Sequence, residues 1–240
     1  MLRGAPFVDG EYYHVFNRGA HKIDIFLGEK EYEIFKMILH LENNRDVVNL
    51  RNIFIKYKGE PISTIFEMEV PDKNLVEVLA YCLMPNHFHL VLRQKSENGI
   101  SSFLKRLLTG YSMYFNLTNE HSGTLFQGPS KSRLVDNEAY FRYIFAYVHL
   151  NPLAFIGYEK RKHSVEKTKM REFLNSYPYS SFYDYNVSSR PEKVILGLES
   201  APEFLKSSND LEDLIRWEEG GDLLQELSTV AKDSPLHSGG

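Results

Sequence analysis

The sequence predicts an α+β fold in which helices cover one face of an antiparallel sheet. Three observations predict it. Strand-like and helix-like stretches alternate in the order β, α, β strands, α, β, α; two of the strands read as a tight hairpin; and no Gly-rich dinucleotide or Walker fingerprint interrupts them. At 240 residues the chain can form one good-sized core with a smaller appended segment, or two small domains. Its composition, 42% apolar and 25% charged, is that of a globular chain.

Glu11 to Gly19 begins as an aromatic and β-branched strand and ends in the turn formers Asn17 and Gly19, which leaves Arg18 at a strand end where it can meet an anion. Glu29 to Leu41 has helical spacing through Tyr32, Phe35, Ile38 and Leu39, with acidic residues in its first turn. Val47 to Val70 holds two β-rich runs, Ile53 to Tyr57 and Ser63 to Val70, joined through Lys58-Gly-Glu-Pro61, and is expected to form an excursion or a hairpin. Leu75 to Leu83 and His87 to Arg93 are strands linked by Met84-Pro-Asn86, the hairpin of the prediction.

Ile100 to Leu117 is the clearest helix, its stripe running through Phe103, Leu104, Leu107, Tyr111 and Phe115 with Lys105 and Arg106 off it. Gly110 costs that helix about 1 kcal/mol relative to Ala and marks a candidate close approach. Gly123 to Val135 reads as a loop entering a short strand that carries Lys131 and Arg133. Asp136-Asn-Glu138 caps a further helix, Glu138 to Leu150, stopped by Asn151-Pro152. Beyond Ser176 come a Tyr-Pro-Tyr-Ser-Ser turn, short helical candidates at Ala201 to Leu205 and Leu211 to Leu227, and a loose Ser-Gly end.

No run of about 18 apolar residues exists to span a membrane, and Met1 to Gly10 lacks the apolar stretch of a signal peptide. The single cysteine, Cys82, excludes an internal disulfide and a Cys-rich zinc site; it reads as a small buried hydrophobe in a reducing, cytoplasmic setting. The net charge of −4 hides a division: Ser101 to Met170 holds 10 basic and 5 acidic residues, Arg171 to Gly240 holds 6 and 13. The central stretch can follow a phosphate backbone. The acidic tail either folds back on it and competes with DNA by charge mimicry or, more plainly, is a solvated helix or a dimer contact.

Chemistry centres on Met84 to Leu92. Alternate residues of a strand share a face, so His87 and His89 stand side by side while Phe88 points into a core. Tyr147 and Asn151, at i and i+4, project from one face of the following helix. If that face lies against the histidines, two imidazoles and a carboxamide oxygen form a three-ligand N,N,O site with open positions for water or a phosphate oxygen. A phenol beside it, with a reference pKa near 10, suits nucleophilic attack on a phosphodiester. Tyr143 shares the face one turn earlier, and spacing alone does not choose between the two; Asn151, one turn after Tyr147, favours Tyr147.

Four motifs in order, Tyr-His-Val-Phe-Asn-Arg-Gly (13 to 19), Tyr-Cys-Leu-Met-Pro-Asn-His-Phe-His-Leu-Val-Leu (81 to 92), Gly-Thr-Leu-Phe-Gln-Gly (123 to 128) and Tyr-Val-His-Leu-Asn-Pro (147 to 152), resemble the single-tyrosine HUH transposases of bacterial insertion sequences. Within these the chain is most similar to the REP-associated tyrosine transposases, over about residues 11 to 186. The resemblance implies a ferredoxin-like catalytic domain over 1–186 and leaves 187–240 as an acidic, mostly helical extension. It implies that His87, His89 and Asn151 hold a divalent metal, Mg2+ or Mn2+, although imidazole ligands by themselves lean towards Zn, Fe or Ni. It further implies that Tyr147 cleaves single-stranded DNA next to a hairpin through a 5′-phosphotyrosine link, with no nucleotide cofactor; a homodimer is among the assemblies it allows.

Arg18, Lys105, Arg106, Lys131 and Arg133 are the candidate phosphate contacts, and Tyr114 or Phe126 candidate stacking partners for unpaired bases. Relatives usually follow Phe-Gln-Gly with Arg; here Pro129 stands, so that contact is missing or has moved to Lys131 or Arg133. Two rivals remain at this level: a hairpin-binding regulator that does not cut, and a metal-dependent hydrolase without a covalent step.

Overall fold

Side-chain alternation along the strands decides what each face of the sheet meets. In a computed structural model, which describes residues 6–71, 73–159, 165–187, 190–198, 201–204 and 211–230, the chain runs β1 (Tyr12–Arg18), α1 (Glu29–Leu41), α2 (Leu50–Lys56), α3 (Ser63–Met68), β2 (Val76–Met84), β3 (His87–Gln94), α4 (Gly99–Thr118), β4 (Lys131–Val135), α5 (Glu138–Leu150), α6 (Lys167–Ser176), α7 (Phe182–Asn186) and α8 (Leu211–Val230). The four strands form one sheet in the order β2-β3-β1-β4, every neighbouring pair antiparallel. This is the ferredoxin-like βαββαβ arrangement, with α1 and α4 as its two helices.

One face presents Tyr13, Val15, Val78, Tyr81, Leu83, Phe88, Leu90 and Leu92 to Phe35 and Ile38 of α1 and to Phe103, Leu107 and Tyr111 of α4. The other presents Ala80, Cys82, Met84 and Val91 to Phe145, Ala146 and Val148 of α5, behind which lie Met170 and Leu174 of α6 and Leu211 and Leu214 of α8. The expectation of helices on one face holds for α1 and α4 but not for α5, which covers the opposite side. The reason is visible in β2: Val76–Met84 is buried at every position, a near-continuous apolar run that needs cover on both faces.

Local chemistry sets the helix ends. The Asn137 side chain accepts from the Tyr140 backbone N–H at 2.8 Å and starts α5, as the sequence suggested. Gly110 does mark a close approach, since a Cβ there would stand 2.8 Å from Leu50 Cδ1 of α2.

Val47 to Val70 departs from the expected β structure and forms α2 and α3. The β2 edge it could have extended is already occupied: Leu83 N–H donates to Tyr179 O, Ser181 N–H to Tyr81 O and Gly197 N–H to Val78 O, at 2.9, 2.9 and 3.0 Å. Without a ladder to join, the segment satisfies its backbone locally, helped by Asn49, whose side chain accepts from Asn52 N–H to cap α2. Of the helical candidates downstream, Leu211 to Leu227 lies within α8; Leu205 and the Ser-Gly end lie outside the described residues. Among the described residues no helix is long and apolar enough to cross a membrane.

Candidate active site on the α5 face of the sheet

The site begins with register. Across β1 and β3, Phe16 pairs with His89 and Arg18 with His87, while across β1 and β4, His14 pairs with Arg133 and Phe16 with Lys131. Directly opposed residues share a face, so His14, Phe16, His87, His89, Lys131 and Arg133 lie on the face that α5 covers.

His87 and His89 stand with ring centroids 5.1 Å apart, their planes nearly perpendicular. The Tyr147 ring meets His89 edge to face at 5.2 Å. Asn151, the first residue of the 3-10 turn that extends α5, lies close enough to the Tyr147 phenol and the His87 imidazole to perturb the pKa of each. The structure therefore brings His87, His89, Tyr147 and Asn151 together: the α5 face that carries Tyr147 and Asn151 lies against the strand of the two histidines. Tyr143 stacks 6.2 Å from Tyr147 but is only 4% exposed, packed in the core beneath α5, whereas Tyr147 keeps part of its surface open.

Electrostatics follow from burial. Desolvation lowers the pKa of His87, offset in part by the Asn151 side chain and reinforced by the Arg18 charge. His89 is held well below the usual histidine range by its burial and by the neighbouring His14 and His87. Burial pushes His14 down to about 3, with Arg133 adding to the effect. These rings are neutral at physiological pH, the state in which imidazole nitrogen ligates a metal. Burial raises the Tyr147 phenol above its ordinary value while Asn151 pulls it back, so the free hydroxyl is protonated at neutral pH.

The candidate phosphate contacts divide. Arg18 is exposed at the end of β1, and its Nε donates to Gln127 Oε1. Asn17 Nδ2 donates to Gly128 O at 3.0 Å and seats the Phe126-Gln-Gly128 loop beside the site. Lys131 and Arg133 are exposed on the β4 edge, the Arg133 guanidinium 4.3 Å from the Tyr140 ring. Lys105 and Arg106 lie elsewhere, on α4 against the opposite face. Lys105 borders a groove with Leu50, Phe54 and Met113, and Arg106 donates to the carbonyls of Asn44, Arg45 and Asp46. Tyr114 and Phe126 also belong to the α4-side cluster.

Sequence reasoning missed three neighbours of the histidines and one of Arg18. His14 Nε2 lies 2.9 Å from His89 Nδ1. His87 Nδ1 lies 2.7 Å from Asn86 Oδ1. Phe16 stacks 5.0 Å from His14 and lies tilted 5.7 Å from His89, and Gln127 holds Arg18. The alternation of His14, Phe16 and Arg18 along β1 was the available signal, but it has meaning only once β1 is known to lie beside β3.

A search of curated proteins finds no match. Among solved structures, a REP-associated tyrosine transposase bound to a REP hairpin is 12% identical, with a TM-score of 0.44 over 77% of this chain and 83% of that one. The tRNA(His) guanylyltransferase of Saccharomyces cerevisiae is 9% identical, with a TM-score of 0.31 over 85% and 86%. A family model described as IS200-like transposase matches residues 11–151, more than half of the chain and every residue of the constellation above. The chain belongs to the IS200-like transposase family.

Proposed function

We propose that the protein is a metal-dependent, single-tyrosine transesterase that cuts and rejoins single-stranded DNA next to a hairpin. The observation that carries this reading is the convergence of Tyr147 and Asn151 on His87 and His89. Hairpin recognition rests on the four sequence motifs shared with the REP-associated branch.

The donor set fits a divalent cation with open positions. In this reading the Asn151 carboxamide oxygen joins the two imidazoles as the third protein ligand; among the described residues no group of three or more His, Cys, Asp or Glu side chains is arranged to hold a metal. Bound Mg2+ or Mn2+ would supply polarisation of the phosphate and neutralisation of charge in the transition state.

The chain's own residues do the rest. Tyr147 Oη attacks phosphorus and loses its proton; the bond from phosphorus to the 3′ oxygen breaks, and that oxygen takes a proton. The 5′ phosphate stays on Tyr147, and attack by another 3′ hydroxyl reverses the step, so the phosphodiester energy is conserved. Asn151 orients the phenol, while Arg18, Lys131 and Arg133 provide positive charge along the same face for the backbone. Phe16, partly exposed beside His89, offers a ring for an unpaired base.

The test uses labelled single strands carrying hairpin repeats from the flanks of the gene, incubated with Mn2+ or Mg2+, run on a denaturing gel and mapped by peptide mass. The expected result is a chelator-sensitive adduct on Tyr147, lost in Tyr147→Phe while binding persists. Cleavage that survives in Tyr147→Phe would favour a hydrolase. Binding without adduct across repeats and both metals would leave a DNA-binding protein that does not cut.

A further inference from the structure

His87 and His89 are both tied through Nδ1. For His87 the partner is the Asn86 amide oxygen, which only accepts, so the proton sits on Nδ1 and Nε2 keeps its lone pair. For His89 the partner is His14 Nε2 at 2.9 Å, a nitrogen that accepts in one tautomer and donates in the other. His14 and His89 are each 6% exposed and stack at 5.1 Å with planes 18° apart, so water does not compete for this contact. If His14 donates, His89 carries its proton on Nε2 and has no lone pair there. If His14 accepts, His89 Nδ1 carries the proton and Nε2 is free to bind a metal, matching His87.

We propose that His14 is a positioning residue: it accepts the Nδ1 proton of His89 and holds that ring in the tautomer that can ligate through Nε2. This rests on the reading of His87 and His89 as metal ligands. Phe16 backs the arrangement, its ring stacked on His14 at 5.0 Å with planes 24° apart, which fixes the imidazole on β1. A metal-binding histidine is ordinarily oriented by an acceptor on its other nitrogen, usually a carboxylate, carbonyl or water. Here the acceptor is another imidazole, supplied by the adjacent strand.

The test has two readouts on the full chain. Long-range 1H–15N correlation spectra of the metal-free protein read the His89 tautomer, and calorimetric titration with Mn2+ reads affinity. The wild type is expected to show His89 protonated at Nδ1. His14→Leu, which removes the acceptor, is expected to shift His89 towards the Nε2–H form and to weaken Mn2+ binding by about 10- to 100-fold. His14→Gln retains an acceptor oxygen, and is expected to recover most of the affinity; it also serves as the folded reference should the leucine variant not fold. Unchanged tautomer and affinity in both variants would overturn the positioning role while leaving the metal site intact. A wild type that binds no Mn2+, with His89 protonated at Nε2, would overturn the metal reading and the inference together.

Discussion

Tyr143 and Tyr147 share a helix face one turn apart, and they differ in burial. Tyr143 sits in the core at 4% exposure, while Tyr147 is only partly buried, its ring against His89 and Asn151 near its phenol. Tyr143→Phe is accordingly expected to retain the covalent adduct, and an adduct lost there but kept in Tyr147→Phe would reverse the assignment. The proposed choice was half legible in the sequence: Asn151 one turn later and the motif alignment favoured Tyr147, and the burial of Tyr143 supports that preference. A second residue-scale consequence concerns His40, 4% exposed and hydrogen-bonded through Nε2 to Glu69 O at 2.6 Å. Burial lowers its pKa, so below about pH 6.5 the unfolded chain takes up a proton that the folded chain refuses. Its contribution to stability is therefore complete above that pH and is lost as pH falls. His40→Gln, which can still donate to Glu69 O, should flatten the decline of denaturation midpoint between pH 7 and pH 5, and an identical slope in the variant would refute this.

At the scale of elements, the proposed function makes β4 the strand that sets where a nucleic acid runs. It is an edge strand, and its register with β1 puts Lys131 beside Phe16 and Arg133 beside His14. Lys105 lies on α4 across the sheet and has no route to the same track. Neutralising Lys131 and Arg133 together should lower the salt dependence of single-strand binding by about 1.4 in logarithmic slope, whereas Lys105→Ala should leave it unchanged. Equal effects from the two variants, measured by fluorescence anisotropy over a salt series, would place DNA on the α4 side as well. The basic residues were all visible in the sequence, but which of them share a face with the histidines depends on strand order, which spacing within one strand does not contain. The same gap explains Val47 to Val70. Its β-branched runs favour strand locally, yet the edge they would join is closed by Tyr179, Ser181 and Gly197, more than a hundred residues later in the chain.

At the scale of the molecule, that closed edge adds to the packing of α6 and α8 on α5 in tying the C-terminal third to the core. Arg190 clamps it: Nε donates to Asp184 Oδ1 at 2.6 Å, Nη2 to Asp184 Oδ2 and the Tyr81 hydroxyl oxygen at 2.9 Å each, and Nη1 to Pro178 O at 2.6 Å. Tyr81 in turn donates to Asp184 Oδ2 at 2.9 Å, and the Asp184 side chain is fully buried. Lys36 of α1 adds a second tie, 2.8 Å from Glu192. A sequence reading could place neither partner, because Tyr81 and Asp184 are a hundred positions apart and carry no mutual spacing signal. Burying a carboxylate is tolerable only while its partner stays, so Arg190→Met should cost about 3 to 5 kcal/mol. For a chain of this size that lowers Tm by roughly 6 to 20 °C, read by calorimetry. The double variant Arg190→Met with Asp184→Leu removes the stranded charge and should recover much of the loss. A single variant that melts with the wild type would mean that the β2 edge is held by its backbone bonds alone. Because Cys82, next to Tyr81, pairs with His89 in the sheet, the clamp also steadies the strand on which the histidines lean. The single variant is therefore expected to lose Mn2+ affinity as it approaches its lowered midpoint, and to keep it well below that temperature.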